Sequence, residues 1–407
     1  MLTDSQREII RATVPALRQH GERITELFYG DLFAAHPALL NVFNPANQRP
    51  GGQARSLAAS ILAYAANIDH LDRLGGMVER IAHKHGSLEV RPEHYPIVGR
   101  HLLGAIRQVL GAAATDAVLD AWGAAYGMLA DIMIGREAQL YAQGSAAGWD
   151  GYKTCVVVRK QAESASMVSL TLAAVDGTPP PAFRPGQYVG VKLRVPGQSI
   201  DHVRQYSLSN APGGRFYRIS VRRERAQGMA RDGLVSNFIH DGIREGDTLA
   251  IHAPTGDFVL DETSPRPVVL LSAGSGITPM ISMLEHLAGP AGGTRPVRFL
   301  HATVARAQHA FGDHVRSLAR QRSGIEAAIF YETVTPDDVP GVHHDEPGRL
   351  GDGALAARLP AEPCDFYICG PLGFMTAVEG ILDRLDIPAE RRHSEVFVPD
   401  PSFLVAA

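Results

Sequence analysis

The sequence predicts a multi-domain chain: an all-α block, then a small antiparallel β-barrel, then an α/β block with a parallel sheet. Three observations carry this. A length of 407 residues exceeds what one hydrophobic core usually organises, so two or three domains are expected. Up to about residue 143 the apolar residues recur at helical spacing, with no convincing period-two alternation. Beyond the small, Gly-rich stretch "GSAAGWDG" the pattern changes to strands, first alone and then interleaved with helices. The expected bounds are residues 1–143 for the helical block, 144–151 for a linker, 152–263 for the barrel and 264–407 for the α/β block.

Taking the blocks in order, the first is rich in Ala and Leu throughout. The second alternates in "CVVVRK", "MVSLTL", "YVGVKLRV" and "YRISVRRE", broken by the turn signals "PGQ" and "APGG" at a spacing that suits a small barrel. In the third, the strand-like "VVLLSA", "VRFLHATV", "AAIFYETV" and "CDFYICG" alternate with helical stretches such as "MISMLEHLA" and "GFMTAVEGILDRL", the pattern of a parallel sheet. Apolar residues make up 45% and charged residues 20% of the chain, the composition of a globular protein. A net charge of -4, with no block of clustered Lys and Arg, argues against nucleic acid as a partner. The N-terminus lacks the basic-then-apolar order of a secretory signal, and no apolar run approaches the roughly 20 residues needed to cross a bilayer. A cytoplasmic monomer is expected. Cys155, Cys364 and Cys369 form no CxxC cluster and read as reduced thiols.

The first chemical feature is "IAHKHGSL", with His83 and His85 two positions apart. At about 100° per residue they point roughly 200° apart on a helix, so at most one faces a core. Steps of three and four from His85 meet Val78, Ile81, Ala82 and Leu88, an apolar stripe; from His83 they meet Glu79, Arg80, Gly86 and Ser87, read as a solvated face. On spacing alone His85 is either a packed core histidine or a ligand. Two further stripes bear on the choice. One runs Tyr95, Val98, Leu102, Ala105 and Val109; the other runs Trp122, Tyr126, Leu129, Met133, Glu137 and Leu140. The carboxylate of Glu137 either meets a partner inside or sits at a frayed helix end and reaches water. Convergence of His85, Tyr95 and Glu137 would make the imidazole a more basic ligand. His94 and His101 are off the stripe of His85, so zinc, which takes three or four protein ligands, fits poorly, while a single axial imidazole suits haem.

At this point the block resembles a globin, specifically the haem domain of the bacterial flavohaemoglobins. The resemblance implies His85 as the proximal ligand of a haem b iron, with Tyr95 and Glu137 as its partners and Lys84, in "KHGSL", near a haem propionate and the flavin domain. "NVFNPANQ" resembles the corner where Phe43 packs on the haem face and Gln48 lies near its edge. In "QARSLAASILAY", Gln53, Leu57, Ile61 and Tyr64 fall at helical spacing; the family puts such a Gln and Leu on the distal side, with Tyr29 as the phenol that hydrogen-bonds bound dioxygen.

The other blocks carry a flavin and a nicotinamide signal. "RQYSLS" supplies a cation, a phenol and a hydroxyl at Arg204, Tyr206 and Ser207, with Gln205 between them; a flavin needs an aromatic face, hydroxyl and backbone donors, and an Arg for its pyrophosphate. The block resembles ferredoxin-reductase-type flavoenzymes, which implies further FAD contacts from Tyr188 and from Ser236 and Asn237 at a helix start. "VVLLSAGSGITPM" is a strand, a Gly-rich turn and a helix start, with Gly274 and Gly276 allowing close approach and Thr278 able to donate; Ser275, Ile277 and Pro279 complete the loop. It lacks the third glycine of the dinucleotide fingerprint but matches the reductases' shorter NAD(P) loop, and Cys369, Gly370 and Pro371 match their second loop. Two segments depart from the family. "HSEVFVP" has Ser394 and Val398 where Tyr and Gly are usual, with Phe397 still expected over the flavin; Val304 and Ala305 replace an Arg-Asn pair, leaving open whether Arg306 takes a 2′-phosphate. The resemblance spans the chain and implies a nitric oxide dioxygenase that turns O2 and NO into nitrate with NAD(P)H electrons relayed through FAD to haem. Two other readings are an oxygen sensor or carrier, and a flavin reductase with a non-catalytic α-domain.

Overall fold

The computed structural model describes residues 2–43, 52–226 and 232–397. Of the expected site residues, Gln48 lies outside them, as does Val398. The chain divides into two compact units; in described residues the first runs to Gly151 and includes Pro196–Val203, and the second holds Tyr152–Val195 and Arg204–Phe397.

The first unit is helical: α1 (Asp4–Ala35), α2 (Gly52–Ala66), α3 (Gly75–Ser87), α4 (His94–Leu110) and α5 (Asp116–Ala146). Thr3 and Gln6 close a reciprocal capping box at the start of α1, satisfying two otherwise orphaned donors. Along α1 the buried Ile10, Leu17, Ile24, Phe28 and Leu32 form one face at helical spacing, packed with Trp122 and Ala125 of α5 and Leu102 and Ile106 of α4. Helices α4 and α5 approach closely at Gly99, where a Cβ would stand 2.5 Å from the ring of Tyr126. The Tyr126 hydroxyl donates to the Tyr95 carbonyl at 2.7 Å, tying the start of α4 to α5.

Helix α5 corrects two expectations. It runs through Ala146, so 144–146 are helical, and Trp149, also placed in the linker by the sequence, is 1% exposed. Its apolar content also exceeds what the sequence reading allowed: by length and composition it passes the test for a membrane span, with a window of mean hydropathy 1.3. A core helix of a folded domain passes the same test, and α5 buries Trp122, Ala125, Ala130, Met133 and Glu137 against its neighbours.

The second unit contains two sheets, save for His202 and Val203 at the start of one strand, which fall in the first unit. The antiparallel one has the order β4-β3-β6-β1-β2-β5, from β1 (Tyr152–Ala162), β2 (Met167–Ala174), β3 (Tyr188–Leu193), β4 (His202–Ser207), β5 (Tyr217–Arg222) and β6 (Thr248–His252). A helix, α6 (Leu234–Asp241), separates β5 from β6. The parallel sheet has the order β10-β9-β8-β7-β11-β12, from β7 (Val268–Ala273), β8 (Val297–Thr303), β9 (Ile325–Tyr331), the two-residue β10 (Glu346–Pro347), β11 (Asp365–Cys369) and β12 (Arg392–Glu395). Helices α7 (Ile277–Ala288), α8 (Gly312–Gln321), α9 (Asp352–Ala356) and α10 (Leu372–Arg384) connect its strands. All six residues of β7 are buried, as a central parallel strand covered on both faces requires.

Within this unit Glu285 of α7 joins the barrel's 209–218 turn to the α/β part. It accepts from Ala211 N (2.8 Å), Arg218 Nη2 (2.6 Å) and His314 Nε2 (2.8 Å). Burial alone would raise its pKa, but these donors outweigh it and hold the carboxyl below its ordinary value.

A buried aromatic stack lies in the parallel-sheet layer. His301 stacks on His309 at 5.4 Å, His309 Nδ1 bonds the Tyr331 hydroxyl at 2.9 Å, and Tyr331 stacks on His344 at 5.3 Å. Burial, then the Arg316 charge, lowers the His309 pKa from 6.5 to about 4, and burial holds that of His301 well below its ordinary value. Both rings are therefore neutral in the fold but protonate in the unfolded chain below about 6.5, so their contribution is present above that pH and is lost as pH falls towards 4. His309 alone is expected to cost on the order of 2 kcal/mol at pH 5. Calorimetry should show the unfolding temperature falling by several degrees between pH 7 and 5, less steeply in His309→Phe; parallel curves for the two proteins would contradict this.

Candidate functional site

His85 lies in the last turn of α3, Tyr95 at the start of α4, and Glu137 well inside α5. The structure brings the three together. His85 Nδ1 is 2.8 Å from Glu137 Oε1 and 3.2 Å from the Tyr95 hydroxyl, which itself donates to Glu137 Oε1 at 2.5 Å. One carboxylate oxygen thus receives two donors, and the imidazole N–H is shared between carboxylate and phenol. Glu137 is 1% exposed, so the frayed-end alternative is excluded, and its Oε2 is buried with no hydrogen-bond partner. Burial, and secondly the bond to Glu137, push the Tyr95 pKa far up, so the phenol stays protonated.

With Nδ1 engaged, Nε2 is the nitrogen left to bind a metal, and the His85 side chain remains 32% exposed. Among the described residues no group of three or more His, Cys, Asp or Glu is placed to hold a metal ion. This donor set fits one axial ligand of haem: an accessible imidazole edge whose opposite nitrogen is fixed by an under-solvated carboxylate.

His83 corrects the sequence reading. The supposed solvated face is largely covered: His83 is 6% exposed, and Gly86 and Ser87 are buried. The reason is α5, whose Arg136 crosses to Glu79 with Nε–Oε2 at 2.7 Å, while His83 Nε2 donates to Glu79 Oε1 at 3.0 Å. A polar triad thus closes the helix pair where the periodicity indicated solvent. Helical direction separated the two histidines correctly, but the neighbouring helix decided which one is buried. Lys84, between them, is exposed.

On α1, Tyr29 is 7% exposed and its ring meets Phe28 at 4.8 Å, Phe33 at 5.7 Å and Phe43 at 5.8 Å between centroids. Burial raises its pKa far above the usual phenol value, while a side-chain hydrogen bond with Gln53 opposes the shift. The phenol is therefore a permanent donor at neutral pH, next to an amide in the first turn of α2. Leu57, one turn further on, packs half-buried against the same core. Phe28 and Phe33 escaped the sequence reading; their signal was an aromatic cluster at helical spacing around Tyr29.

In the antiparallel sheet, Arg204, Gln205, Tyr206 and Ser207 all lie on β4 and Tyr188 begins β3. Tyr188 exchanges backbone bonds with Thr255 at 2.8 and 2.9 Å, which pins its ring beside Gly256. Burial raises the Tyr206 pKa, with the Arg204 charge opposing it, and burial lowers that of Arg204. A desolvated guanidinium and phenol on an outer strand of the sheet suit a pyrophosphate and an aromatic ring. Ser236 and Asn237 lie in the first turn of α6, but their side chains serve the local backbone. Asn237 Nδ2 donates to Glu224 O (2.8 Å) and Gly233 O (2.9 Å), and Ser236 Oγ accepts from Glu224 N at 3.2 Å. The Asn237 backbone N–H already donates to Gly233 O at 3.0 Å, so what the segment can offer a phosphate is the backbone N–H of Ser236 at the helix start. Phe397, beyond β12, is 44% exposed, and Ser394 sits in β12 opposite Ile368.

The two loops expected at a nicotinamide follow the carboxyl ends of adjacent strands, β7 and β11. At Gly276 a Cβ would stand 2.0 Å from the Cys369 carbonyl oxygen and 2.7 Å from Gly370 N, so only glycine lets the loops touch. Ser275 is the middle residue of this turn, Gly274–Gly276; Ile277, Thr278 and Pro279 are buried at the start of α7. The Thr278 hydroxyl donates to the Ser275 carbonyl at 3.0 Å, bracing the loop. Cys369 is 0% exposed, and burial, then the Glu395 charge, pushes its thiol pKa well up, so the thiol stays protonated and is a poor nucleophile. Pro371 caps α10. The turn lies where an open α/β sheet binds dinucleotides, at the reversal of strand order.

Comparison with known proteins matches this order. The family model for globins matches residues 26–133, that for oxidoreductase FAD-binding domains 154–260, and that for oxidoreductase NAD-binding domains 270–380. The chain is 55% identical to the flavohemoprotein of Deinococcus radiodurans over 405 residues, covering 99% of this chain and 98% of that one. It is 47% identical to that of Bordetella pertussis, covering 98% of each, and 43% identical to that of Bacillus subtilis, covering 99% of each. Among solved structures, the Malassezia yamatoensis flavohemoglobin with bound FAD and heme superposes with a TM-score of 0.85 at 29% identity, covering 97% of this chain and 99% of that one. The FAD/NAD binding domain of a nitric oxide dioxygenase from Vibrio cholerae O1 biovar El Tor superposes at 0.55 with 39% identity, covering 60% of this chain and 98% of that one. With a globin unit built around His85, Glu137 and Tyr95 and an FAD- and NAD-binding oxidoreductase module behind it, the chain belongs to the flavohaemoprotein family.

Proposed function

We propose that the chain is an NAD(P)H-dependent nitric oxide dioxygenase, combining NO and O2 to nitrate. The observation that carries this reading is the bonding of His85 Nδ1 to the buried Glu137 and to Tyr95, in one chain with an electron-supplying module. An oxygen carrier needs no such supply. When bound, haem supplies a one-electron iron centre where the gases react, and FAD divides a hydride into single electrons. The sum balances: one NO, one O2 and one electron give one nitrate, and each NAD(P)H serves two such turnovers and releases one proton.

The chain's own residues do the rest. His85 Nε2 is the nitrogen available to hold iron, and Glu137 draws on the Nδ1 proton so that the ring donates more strongly. Tyr29 keeps its proton at neutral pH and presents a fixed donor at the distal face, with Gln53 orienting it. Arg204 and Tyr206 are placed for the flavin's pyrophosphate and ring, and the Gly274–Pro279 and Cys369–Pro371 loops for the nicotinamide. A cytoplasmic monomer drawing on the cell's nicotinamide pool is the setting this reading implies.

The test is aerobic NO consumption by purified, cofactor-loaded protein with NAD(P)H, followed by an NO electrode and nitrate assay. Stoichiometric nitrate is expected, and Tyr29→Phe should slow it on the order of 10²-fold. No NO consumption, or a wild-type rate in Tyr29→Phe, would sink the reading.

A further inference from the structure

Helix α7 begins in the loop expected at a nicotinamide, and its Thr278, Ser282 and Glu285 are spaced by four and three residues, which puts them on one face. Two of the three grip the barrel. Strand β4, which carries the residues expected at a flavin, ends at Ser207 and leads directly into Asn210 and Ala211. The buried Ser282 hydroxyl donates to the Asn210 carbonyl at 2.8 Å, and Glu285 Oε2 accepts from Ala211 N at 2.8 Å.

The turn they grip is itself braced. Asn210 Oδ1 accepts from Arg218 N at 2.7 Å, and Ser209 N donates to the Arg218 carbonyl at 2.8 Å. Arg218, at the start of β5, pairs with Glu285 Oε1 at 2.6 Å while its guanidinium lies 5.2 Å from the centre of the Phe311 ring; His314 of α8 meets the same oxygen at 2.8 Å. One carboxylate therefore ties α7 to both ends of the turn and to α8. Apolar packing also joins helix and barrel, with Phe258 in one core with Met280 and Met283. That attraction has no direction, whereas charge-assisted bonds fix a register. Ser282 is one helical turn, about 6 Å, beyond Thr278, so a shift of α7 at the clasp carries the Gly274–Pro279 loop with it.

We propose that Glu285 is a positioning residue for hydride transfer, holding the nicotinamide loop at a set distance from the strand that meets the flavin. The inference rests on the electron supply from NAD(P)H to FAD proposed above. In that step a C–H bond of the dihydronicotinamide breaks, an N–H bond forms on the flavin, and both electrons travel with the hydride. Glu285→Gln keeps the side-chain shape but turns one acceptor into a donor facing other donors. It should slow flavin reduction at saturating NAD(P)H about tenfold in stopped flow. A second readout needs no turnover: cofactor-loaded protein reduced with dithionite and titrated with NAD+ gains long-wavelength charge-transfer absorbance when the two rings stack. Glu285→Gln should show less of it at saturation, with NAD+ affinity within about twofold of the wild type. Ser282→Ala, which removes only the Asn210 bond, should give the same pattern to a smaller degree. Unchanged rate and absorbance in Glu285→Gln, or in Ser282→Ala should the first not fold, overturn the proposal. So does a rate loss accounted for by weaker NAD+ binding or by loss of flavin. The expected pattern in a chain whose wild type consumes no NO would uphold the proposal and instead defeat the nitric oxide dioxygenase reading.

Discussion

Replacing Glu137 by glutamine is expected to lower NO turnover about 10- to 100-fold while the chain still folds and binds haem. The carboxylate is 1% exposed, its Oε1 receives both the His85 N–H and the Tyr95 hydroxyl, and its Oε2 has no partner. An oxygen so poorly solvated pulls harder on the protons it does meet, and the imidazole becomes a stronger donor through Nε2. Glutamine keeps one acceptor and the side-chain volume but removes the charge. The haem reduction potential should therefore rise, a change that a merely structural role for Glu137 would not produce. Glu137→Leu goes further, stranding two buried donors at about 1–3 kcal/mol each, and should lose haem on dilution. A wild-type potential and turnover in Glu137→Gln would show that the carboxylate does not tune His85.

Gly276→Ala should have the second large effect. Its Cβ would lie 2.0 Å from the Cys369 carbonyl oxygen, a backbone atom that no side-chain rotation can move away. Both loops must separate, and displacement of a reacting group by about 1 Å can cost on the order of 10²-fold in rate. Reduction of the flavin by NAD(P)H, followed by stopped flow, is expected to slow by that order, while dithionite reduces the haem as in the wild type. Unchanged flavin reduction would mean that the loop contact does not set the nicotinamide geometry.

Much of the architecture was legible because periodicity is local. The helical spacing of α1, the alternation of β2 and β5, and the fully apolar β7 each follow from what a helix, a half-buried strand or a doubly covered strand must bury. The polar residues that converge were legible for the same reason: His85, Tyr95 and Glu137 each lay on an apolar stripe, where a polar group needs a partner. The stripes could not say that the three would meet, nor that Arg136 and Glu79 would cover His83.

By itself the sequence determined the order of the three architectures, the face of each helix, and the short list of polar residues set among apolar ones. Tertiary structure alone decided which of those residues touch. Glu137 could have reached water; the crossing of α3, α4 and α5 instead seals it against His85 and Tyr95. The loops after β7 and β11 are 90-odd residues apart in the chain, yet Gly276 rests on the Cys369 carbonyl because β7 and β11 are hydrogen-bonded neighbours in the sheet. Burial and contact belong to pairs of elements, and a one-dimensional pattern records only one member of each pair.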